Sequence, residues 1–459
     1  MKRKTTKQVL TESFRELAAG KAIDRITVQE IVRNRAYFSA TFSTHWKRLV
    51  VFCMILSVFL SGCAQASHAE VPVLPTLPPL SGLRIAVASD LHFNPDSRPK
   101  TSSPAQSEYS LELLDALLYD AGQQGAAFLI LTGDLVNGGK PHRHAALVHK
   151  LQQAELPVYV LPGNHDLDPV TQSEFAEFYA PFGYNEACSR DPASLSYAVI
   201  RDGLLLLMLD TGGYSVGVMD LAEPPADTHA FVSGSTLRWA EELLRRAEAE
   251  GLLVLCAGHY NLLSDISRDT ENSGFYFENA DALAALLRQY RVPLYLSGHA
   301  HTRGFYRQDS LCELVTEYLL GYPTAYSVLD IDAKAIRYTP RRIDVEAWAK
   351  ATGQTDRILL NFAQWQQDGL RSYSDENVRY MSERNPISKA EQRQAADFFY
   401  FVMDSFWQGM LHARRQKAEA MPGYQPFFRC AEGYAYGWWL KELLETAAPE
   451  LQGFVIERE

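Results

Sequence analysis

The sequence lacks closely spaced cysteine pairs and a surplus of basic residues, and each absence excludes a class of protein. None of its six cysteines forms a Cys-x-x-Cys pair, which argues against a zinc site built from thiolates. The net charge of the 459 residues is −11, although residues 1–50 hold 11 basic and only 4 acidic residues. The rest of the chain therefore carries a net charge of −18 and would repel a phosphate backbone, so we expect no nucleic-acid partner.

A short apolar run, Leu49–Leu60, follows two basic residues near the N-terminus. It is shorter than the roughly 20 residues of a membrane-spanning helix, but it suits a secretory signal. The run ends in Leu60-Ser61-Gly62-Cys63, which resembles the lipobox of bacterial lipoproteins, and the proline-rich residues 64–82 predict an extended tether. We therefore expect a signal over residues 47–63, a lipid on Cys63, and export to the outer face of a bacterial membrane.

Residues 1–46 resemble the helix-turn-helix end of the tetracycline-repressor family of regulators. Ala36 stands where that family has a turn glycine, and no dimerisation domain of that family follows. An exported protein also has no use for a DNA-reading segment. We interpret these residues as a degraded extension that is removed together with the signal.

From residue 83 the chain alternates short apolar runs with amphipathic stretches. The runs are typical of buried strands, and stretches such as Leu111–Ala121, Ser235–Ala249 and Asn279–Tyr290 have helical spacing. This alternation predicts an α/β layered fold whose ligands bind beyond the strand ends.

Polar side chains follow five of the apolar runs, and a glycine precedes several of them. Imidazoles, carboxylates and one amide oxygen together favour a divalent Mn, Fe or Zn ion. Seven ligands exceed the needs of one ion, but they divide into two sites of four if one carboxylate bridges. The seven candidate ligands are Asp90, His92, Asp134, Asn164, His259, His299 and His301.

These motifs (Asp-x-His, Gly-Asp, Gly-Asn-His-Asp, a lone histidine and Gly-His-x-His) resemble those of the calcineurin-like metallophosphoesterases over residues 83–335. The resemblance implies an α-β-β-α sandwich, two divalent metal ions and a metal-bridging hydroxide as nucleophile. It implies that Asp134 bridges the metals and that His165 lies beside the phosphoryl group as a catalytic residue. One metal would be held by Asp90, His92, Asp134 and His301, and the other by Asp134, Asn164, His259 and His299. Three further histidines, His142, His144 and His149, are interpreted as solvated.

Details of the motifs restrict the classes of substrate that the resemblance implies. Asn137 occupies the position of a second aspartate in protein phosphatases and of a tyrosine in purple acid phosphatases. The motifs resemble most the class III cyclic-nucleotide phosphodiesterases, including exported lipoproteins with a helical tail. This resemblance implies a small phosphodiester substrate. A phosphomonoesterase, an envelope-polymer phosphodiesterase and a non-catalytic metal-binding protein remain alternatives.

The composition changes after about residue 340, where five of the seven tryptophans lie. We predict a metallophosphoesterase domain over residues 83–340 and a helical domain over 341–459. A capping box at Ser388–Glu391 predicts a helical stretch to about Ala420. Its aromatic side chains form either the core of a bundle or a wall beside the metal cleft.

Overall fold

The computed structural model describes residues 82–96, 107–167, 169–212, 230–263, 277, 279–446 and 449–458. No helix within these ranges is both long and apolar enough to cross a membrane. The predicted N-terminal extension, signal and lipid-anchor residue Cys63, with all of the predicted tether except residue 82, lie outside the described residues.

Two β-sheets form the framework of the described chain, with strand orders β13-β12-β11-β1-β2-β3 and β4-β5-β6-β7-β8-β10-β9. The strands are β1 (Leu83–Ala88), β2 (Phe128–Leu131), β3 (Val158–Val160), β4 (Ser189–Arg190), β5 (Tyr197–Arg201), β6 (Leu204–Met208), β7 (Leu253–Ala257), β8 (Leu294–Ser297), β9 (Gly304–Gln308), β10 (Leu311–Val315), β11 (Ala325–Ile331), β12 (Ala335–Arg342) and β13 (Phe454–Glu457). In the first sheet β1 runs parallel to β2 and antiparallel to β11. In the second sheet β7 runs parallel to both of its neighbours.

Helices connect several of the strands, and a series of consecutive helices lies between β12 and β13. They are α1 (Ser110–Gln123), α2 (Pro141–Leu151), α3 (Gln172–Phe178), α4 (Gly234–Glu250), α5 (Ala280–Gln289), α6 (Val345–Ala351), α7 (Phe362–Arg384), α8 (Lys389–Trp407), α9 (Leu411–Glu419), α10 (Tyr424–Cys430) and α11 (Ala435–Thr446). The three helices predicted in the strand-rich part correspond to α1, α4 and α5, within two residues at each end.

The apolar side chains of β6 show how the sheets are layered. Leu204, Leu206 and Met208 pack in a core that also contains residues of β1 and β2 from the other sheet. Leu205 and Leu207 point the other way and join a second core with α4 and α5, because successive side chains of a strand face opposite sides. The predicted layered α/β fold is confirmed.

The C-terminal helices α7–α11 enclose a third core, in which Phe398, Phe399 and Val402 are fully buried. The capping box at Ser388–Glu391 is present, and of the two alternatives for the aromatic side chains the bundle core holds for these residues. The predicted single stretch to about Ala420 is wrong, because the chain turns at Gly409 with a φ of 70°. The C-terminal region is helical as predicted, and it ends in one strand, β13, which pairs with β12 at the edge of the first sheet.

Candidate metal centre

The predicted ligands lie where strands of both sheets end, in turns of unusual backbone conformation. Five of the seven have a positive φ: Asp90, His92, Asp134, His299 and His301, with values from 37° to 65°. Left-handed backbone costs about 1–3 kcal/mol at a residue with a side chain and concentrates at functional sites. The turns thus bend the chain so that the side chains of separate strands converge.

One group of side chains comprises Asp90, His92, Asp134 and His301, and each offers a ligand atom within 4.8 Å of the others. Nε2 of His92 lies 3.1 Å from Nε2 of His301 and 3.4 Å from Oδ2 of Asp134. Nε2 of His301 lies 3.3 Å from Oδ1 of Asp90. This is the set that the resemblance assigns to one metal.

A second group comprises Asp134, His259 and His299, with ligand atoms within the same 4.8 Å of one another. Nε2 of His259 lies 3.2 Å from Nδ1 of His299 and 3.1 Å from Oδ1 of Asn164. Asn164 therefore lies beside this group, and the resemblance assigns all four residues to the second metal.

The carboxylate of Asp134 belongs to both groups. Its Oδ2 lies 3.4 Å from Nε2 of His92 and 3.4 Å from Nε2 of His259, and the residue is almost completely buried. Burial raises the pKa of this carboxyl group, but the charge and hydrogen bond of His259, with the charges of His92 and His165, together outweigh burial and lower it. Asp134 is therefore anionic between two sets of imidazoles, as a bridging ligand must be.

The side chains of these groups are better placed to bind divalent cations than to hydrogen-bond with one another. Oδ1 of Asp90 is buried and accepts no hydrogen bond, although Nε2 of His301 is only 3.3 Å away. Two pairs of imidazole nitrogens face each other at 3.1 and 3.2 Å, so one nitrogen of each pair must hold a proton if no cation lies between them. A cation between each pair would satisfy both nitrogens and the orphaned carboxylate oxygen together.

The tautomer of His259 is fixed by the backbone. Its Nδ1–H donates to the carbonyl oxygen of Thr132 at 2.8 Å, which leaves Nε2 to face Asp134 and Asn164. Burial lowers the pKa of His259, but the charge and hydrogen bond of Asp134, the charge of Asp90 and the hydrogen bond to Thr132 together outweigh burial and raise it to about 9. A cation would replace the proton that this imidazole otherwise holds, which is the usual arrangement for a metal-binding histidine.

His165 lies beside both groups but belongs to neither. Its Nε2 is 4.0 Å from Oδ2 of Asp134, its ring meets that of His92 edge-on at 4.6 Å, and its side chain is 41% exposed. Its backbone N–H, by contrast, donates to Oδ1 of Asp134 at 2.8 Å. The side chain is thus free to reach a substrate while the main chain is held in place.

Two glycines allow the turns to approach one another. A Cβ on Gly133, whose φ is 97°, would lie 2.6 Å from Nδ1 of His259. A Cβ on Gly298 would lie 1.8 Å from Oγ of Ser89 and 2.5 Å from Oδ2 of Asp90. Any side chain at either position would push a predicted ligand out of its group.

Asp166 connects two of these turns and was missed in the sequence. Its carboxylate is fully buried and accepts hydrogen bonds from the N–H groups of Leu135, Val136 and Gly163 at 2.8–3.1 Å. Burial, with the nearby charge of Asp134, raises its pKa to about 7. The last residue of the Gly-Asn-His-Asp motif thus holds Asp134 and Asn164 in register without belonging to either group.

The prediction that His144 is solvated is wrong. His144 is fully buried because it shares a helix face with Leu147 and Leu151, three and seven residues further along α2. Its Nε2–H donates to the carbonyl oxygen of Asp166, and its Nδ1 accepts from the hydroxyl of Tyr179. His142 and His149 are exposed, as predicted.

We expect His144→Ala to lower the free energy of unfolding by about 2–4 kcal/mol. The substitution leaves a cavity and two buried polar groups, the Tyr179 hydroxyl and the Asp166 carbonyl, without their partner. Urea denaturation measures the loss, and His149→Ala on the exposed side of the same helix should change it by less than about 0.5 kcal/mol. Equal stabilities for the two variants would contradict the buried role of His144.

Comparison with known proteins agrees with this geometry. Residues 83–303 match the family described as calcineurin-like phosphoesterase. The phosphoesterase fold is therefore present over the part of the chain that holds both groups. Residues 83–303 form a calcineurin-like phosphoesterase domain. Residues 344–446 match a second family, the C-terminal domain of cyclic nucleotide phosphodiesterase, which covers the helical region.

Individual relatives are distant. A 3′,5′-cyclic-nucleotide phosphodiesterase of Nostoc sp. is 23% identical over 220 residues, which are 48% of this chain and 71% of that protein. A dimetal phosphatase from Danio rerio has 14% identity and a TM-score of 0.45, covering 58% of this chain and 97% of its own. GAP50 of Plasmodium has 12% identity and a TM-score of 0.36, covering 57% and 84%.

The phosphoesterase domain confirms the predicted class of enzyme, a metal-dependent phosphoesterase. The structure brings together all seven predicted ligands and places His165 at their edge. Their assignment to particular metals stays a prediction, as does the number of metals.

Proposed function

We propose that this protein is a phosphodiesterase with two divalent cations that hydrolyses 3′,5′-cyclic nucleotides. The observation that carries the proposal is the equal 3.4 Å distance from Oδ2 of Asp134 to Nε2 of His92 and of His259. One carboxylate between two sets of imidazoles suits a pair of cations acting on a phosphoester. The substrate class rests on the match of the helical region and on the relative from Nostoc sp..

The donor set favours Mn, Fe or Zn. Neutral imidazoles with carboxylates and one amide oxygen are borderline-to-hard ligands, whereas a thiolate would indicate a softer metal. None of the four cysteines in the described residues belongs to either group. When bound, such cations polarise the phosphoryl group and lower the pKa of bound water.

His165 is positioned to protonate the leaving oxygen. Hydrolysis of a cyclic phosphodiester adds water to phosphorus and breaks one bond from phosphorus to a sugar oxygen, giving a nucleoside monophosphate. The departing oxygen gains negative charge and needs a proton. The exposed imidazole of His165 lies at the edge of the ligand groups and is the group that would donate it.

A substrate panel with the Mn-loaded full-length protein tests the proposal. We expect 3′,5′-cyclic AMP or cyclic GMP to give a higher kcat/KM than nitrophenyl phosphate or a poly(glycerol phosphate). A preference for the monoester would favour a phosphomonoesterase, and a preference for the polymer an envelope-polymer phosphodiesterase. Tight metal binding without hydrolysis of any of these compounds would favour a non-catalytic metal-binding protein.

We also propose that the protein is exported and held on the outer face of a bacterial membrane by lipid on Cys63. The support is the short apolar run that ends in Leu60-Ser61-Gly62-Cys63. Cys63→Ser should abolish incorporation of labelled fatty acid and move the protein out of the membrane fraction, whereas Cys53→Ser should change neither. Fatty-acid labelling of the Cys63→Ser variant, or recovery of the wild type with residues 1–62 intact, would contradict the anchor.

A further inference from the structure

A segment of nine residues, 316–324, runs between β10 and β11 and connects two of the three cores. We call it the linking segment. Leu319 and Leu320 are buried in the core between the two sheets. Tyr322, two residues further on, is buried in the core of the helical C-terminal region instead. The chain therefore passes from one core to the other within three residues.

One side of the linking segment contacts the candidate metal centre. The ring of Tyr318 stacks on that of His301, with centroids 4.7 Å apart and planes inclined by 16°. It also meets the ring of His92 edge-on at 5.3 Å. The N–H of Leu319 donates to the carbonyl oxygen of Ser89, the residue before Asp90. The linking segment thus contacts or adjoins three of the four members of the first ligand group.

The other side of the linking segment is held by the helical region. The hydroxyl of Tyr322 donates to Oδ1 of Asp404 on α8 at 2.6 Å. The side-chain amide of Gln366, buried on α7, donates to Oγ1 of Thr324 at 2.6 Å. Two different helices therefore fix the linking segment from its far side.

A buried ion pair fixes the linking segment to the residues between His301 and β9. Arg303 and Glu317 are both more than nine-tenths buried and pair through two contacts, one of them 3.2 Å from Nε to Oε2. Because Arg303 follows His301 by two residues and Glu317 precedes Tyr318, the pair holds the imidazole and the phenol ring in one register.

We infer that the helical C-terminal region supports the metal centre by fixing Tyr318 of the linking segment against His301 and His92. Tyr318 is a positioning residue, since it contacts two predicted ligands and contributes none itself. The inference rests on the proposed two-cation function but not on the identity of the substrate. By this inference the helical region contributes to metal binding, although none of its residues needs to contact the substrate.

Calorimetric titration of the full-length metal-free protein with Mn²⁺ tests this inference without any substrate. Tyr318→Leu should weaken the binding of one cation by about 10- to 100-fold, the usual effect of removing support from a ligating histidine. Tyr318→Phe keeps the ring and should restore the affinity. Tyr322→Phe removes only the hydroxyl that reaches Asp404 and should weaken the same cation by roughly three- to tenfold.

A double-variant cycle then decides whether the helices act through Tyr318. In a Tyr318→Leu background, Tyr322→Phe should cause no additional loss of cation affinity. The matched control is Tyr373→Phe, which removes a hydroxyl contact with Tyr436 inside the helical core and should leave both cations bound as in the wild type. Normal Mn²⁺ affinity in Tyr318→Leu or in Tyr322→Phe would overturn the inference. A loss of affinity in the double variant that equals the sum of the two single losses, on the free-energy scale, would also overturn it. If the wild type binds two cations but hydrolyses no cyclic nucleotide, only the proposed substrate fails.

Discussion

Asp134→Asn is expected to lose most bound metal and at least about 10³-fold in kcat/KM. The substitution keeps the size of the side chain and an oxygen that can accept the hydrogen bond from the N–H of His165. It removes the negative charge that lies 3.4 Å from both His92 and His259. Because this charge is shared by both ligand groups, neither cation would keep its full set of anionic ligands, and the polarisation of the phosphoryl group would be lost.

Elemental analysis after dialysis and steady-state kinetics measure this expectation. Asp191→Asn is the matched control, because Asp191 is a buried aspartate that accepts hydrogen bonds from Ser194 and Thr236 and belongs to neither ligand group. The control should retain its metals even if its stability falls. An Asp134→Asn protein that holds two metals and turns over at a near-normal rate would refute the bridging role.

His165→Ala is expected to keep both metals and to lose about 10²–10⁴-fold in kcat on a cyclic nucleotide, the usual contribution of general acid catalysis. The contact of residue 165 with Asp134 is made by its backbone N–H, which alanine retains. A sugar alkoxide is a poor leaving group and needs a proton, whereas a nitrophenolate leaves almost unaided. The loss on bis(nitrophenyl) phosphate should therefore be distinctly smaller.

The comparison between the two substrates separates proton donation from other roles of His165. Equal losses on both would indicate that a positively charged imidazole stabilises the phosphoryl oxygens instead. Loss of metal from the variant would make His165 a ligand. His142→Ala, which removes an exposed imidazole outside both ligand groups, should change neither the metal content nor either rate.

The positions of the ligands could be predicted because each follows a buried strand. β8 ends at Ser297, as predicted, and the Gly-His-x-His turn begins at the next residue. Strand ends of a layered α/β fold gather at common edges, so the order of the motifs along the chain is enough to bring them together. The left-handed backbone of His299 and His301 could not be predicted, because only a few per cent of residues other than glycine adopt a positive φ, although histidine does so more often than most.

The supporting residues were harder to find because their function depends on partners distant in sequence. Asp166 belongs to the Gly-Asn-His-Asp motif, but its role could not be predicted, because it accepts hydrogen bonds from residues 135 and 136, some thirty positions earlier. His144 did carry a signal, since it falls on the apolar side of α2 with Leu147 and Leu151. Its helical spacing alone would have predicted burial.

Two strand pairings could not be predicted from the apolar runs alone. The hairpin of β5 and β6 was missed, although Asp202 and Gly203 form a two-residue turn with φ values of 52° and 82°, typical of a hairpin. The pairing of β13 with β12 was missed because it joins residues more than a hundred positions apart across the helical region. Such pairing depends on where the packing of the intervening helices positions the C-terminal residues.

Anomalous diffraction from crystals of the Mn-loaded wild-type protein tests the two-cation centre most directly. We predict two Mn peaks, one at ligand distance from Asp90, His92 and His301 and the other from Asn164, His259 and His299. The carboxylate of Asp134 should lie at ligand distance from both, and His165 from neither. A single peak, or two peaks that do not share Asp134, would contradict the account.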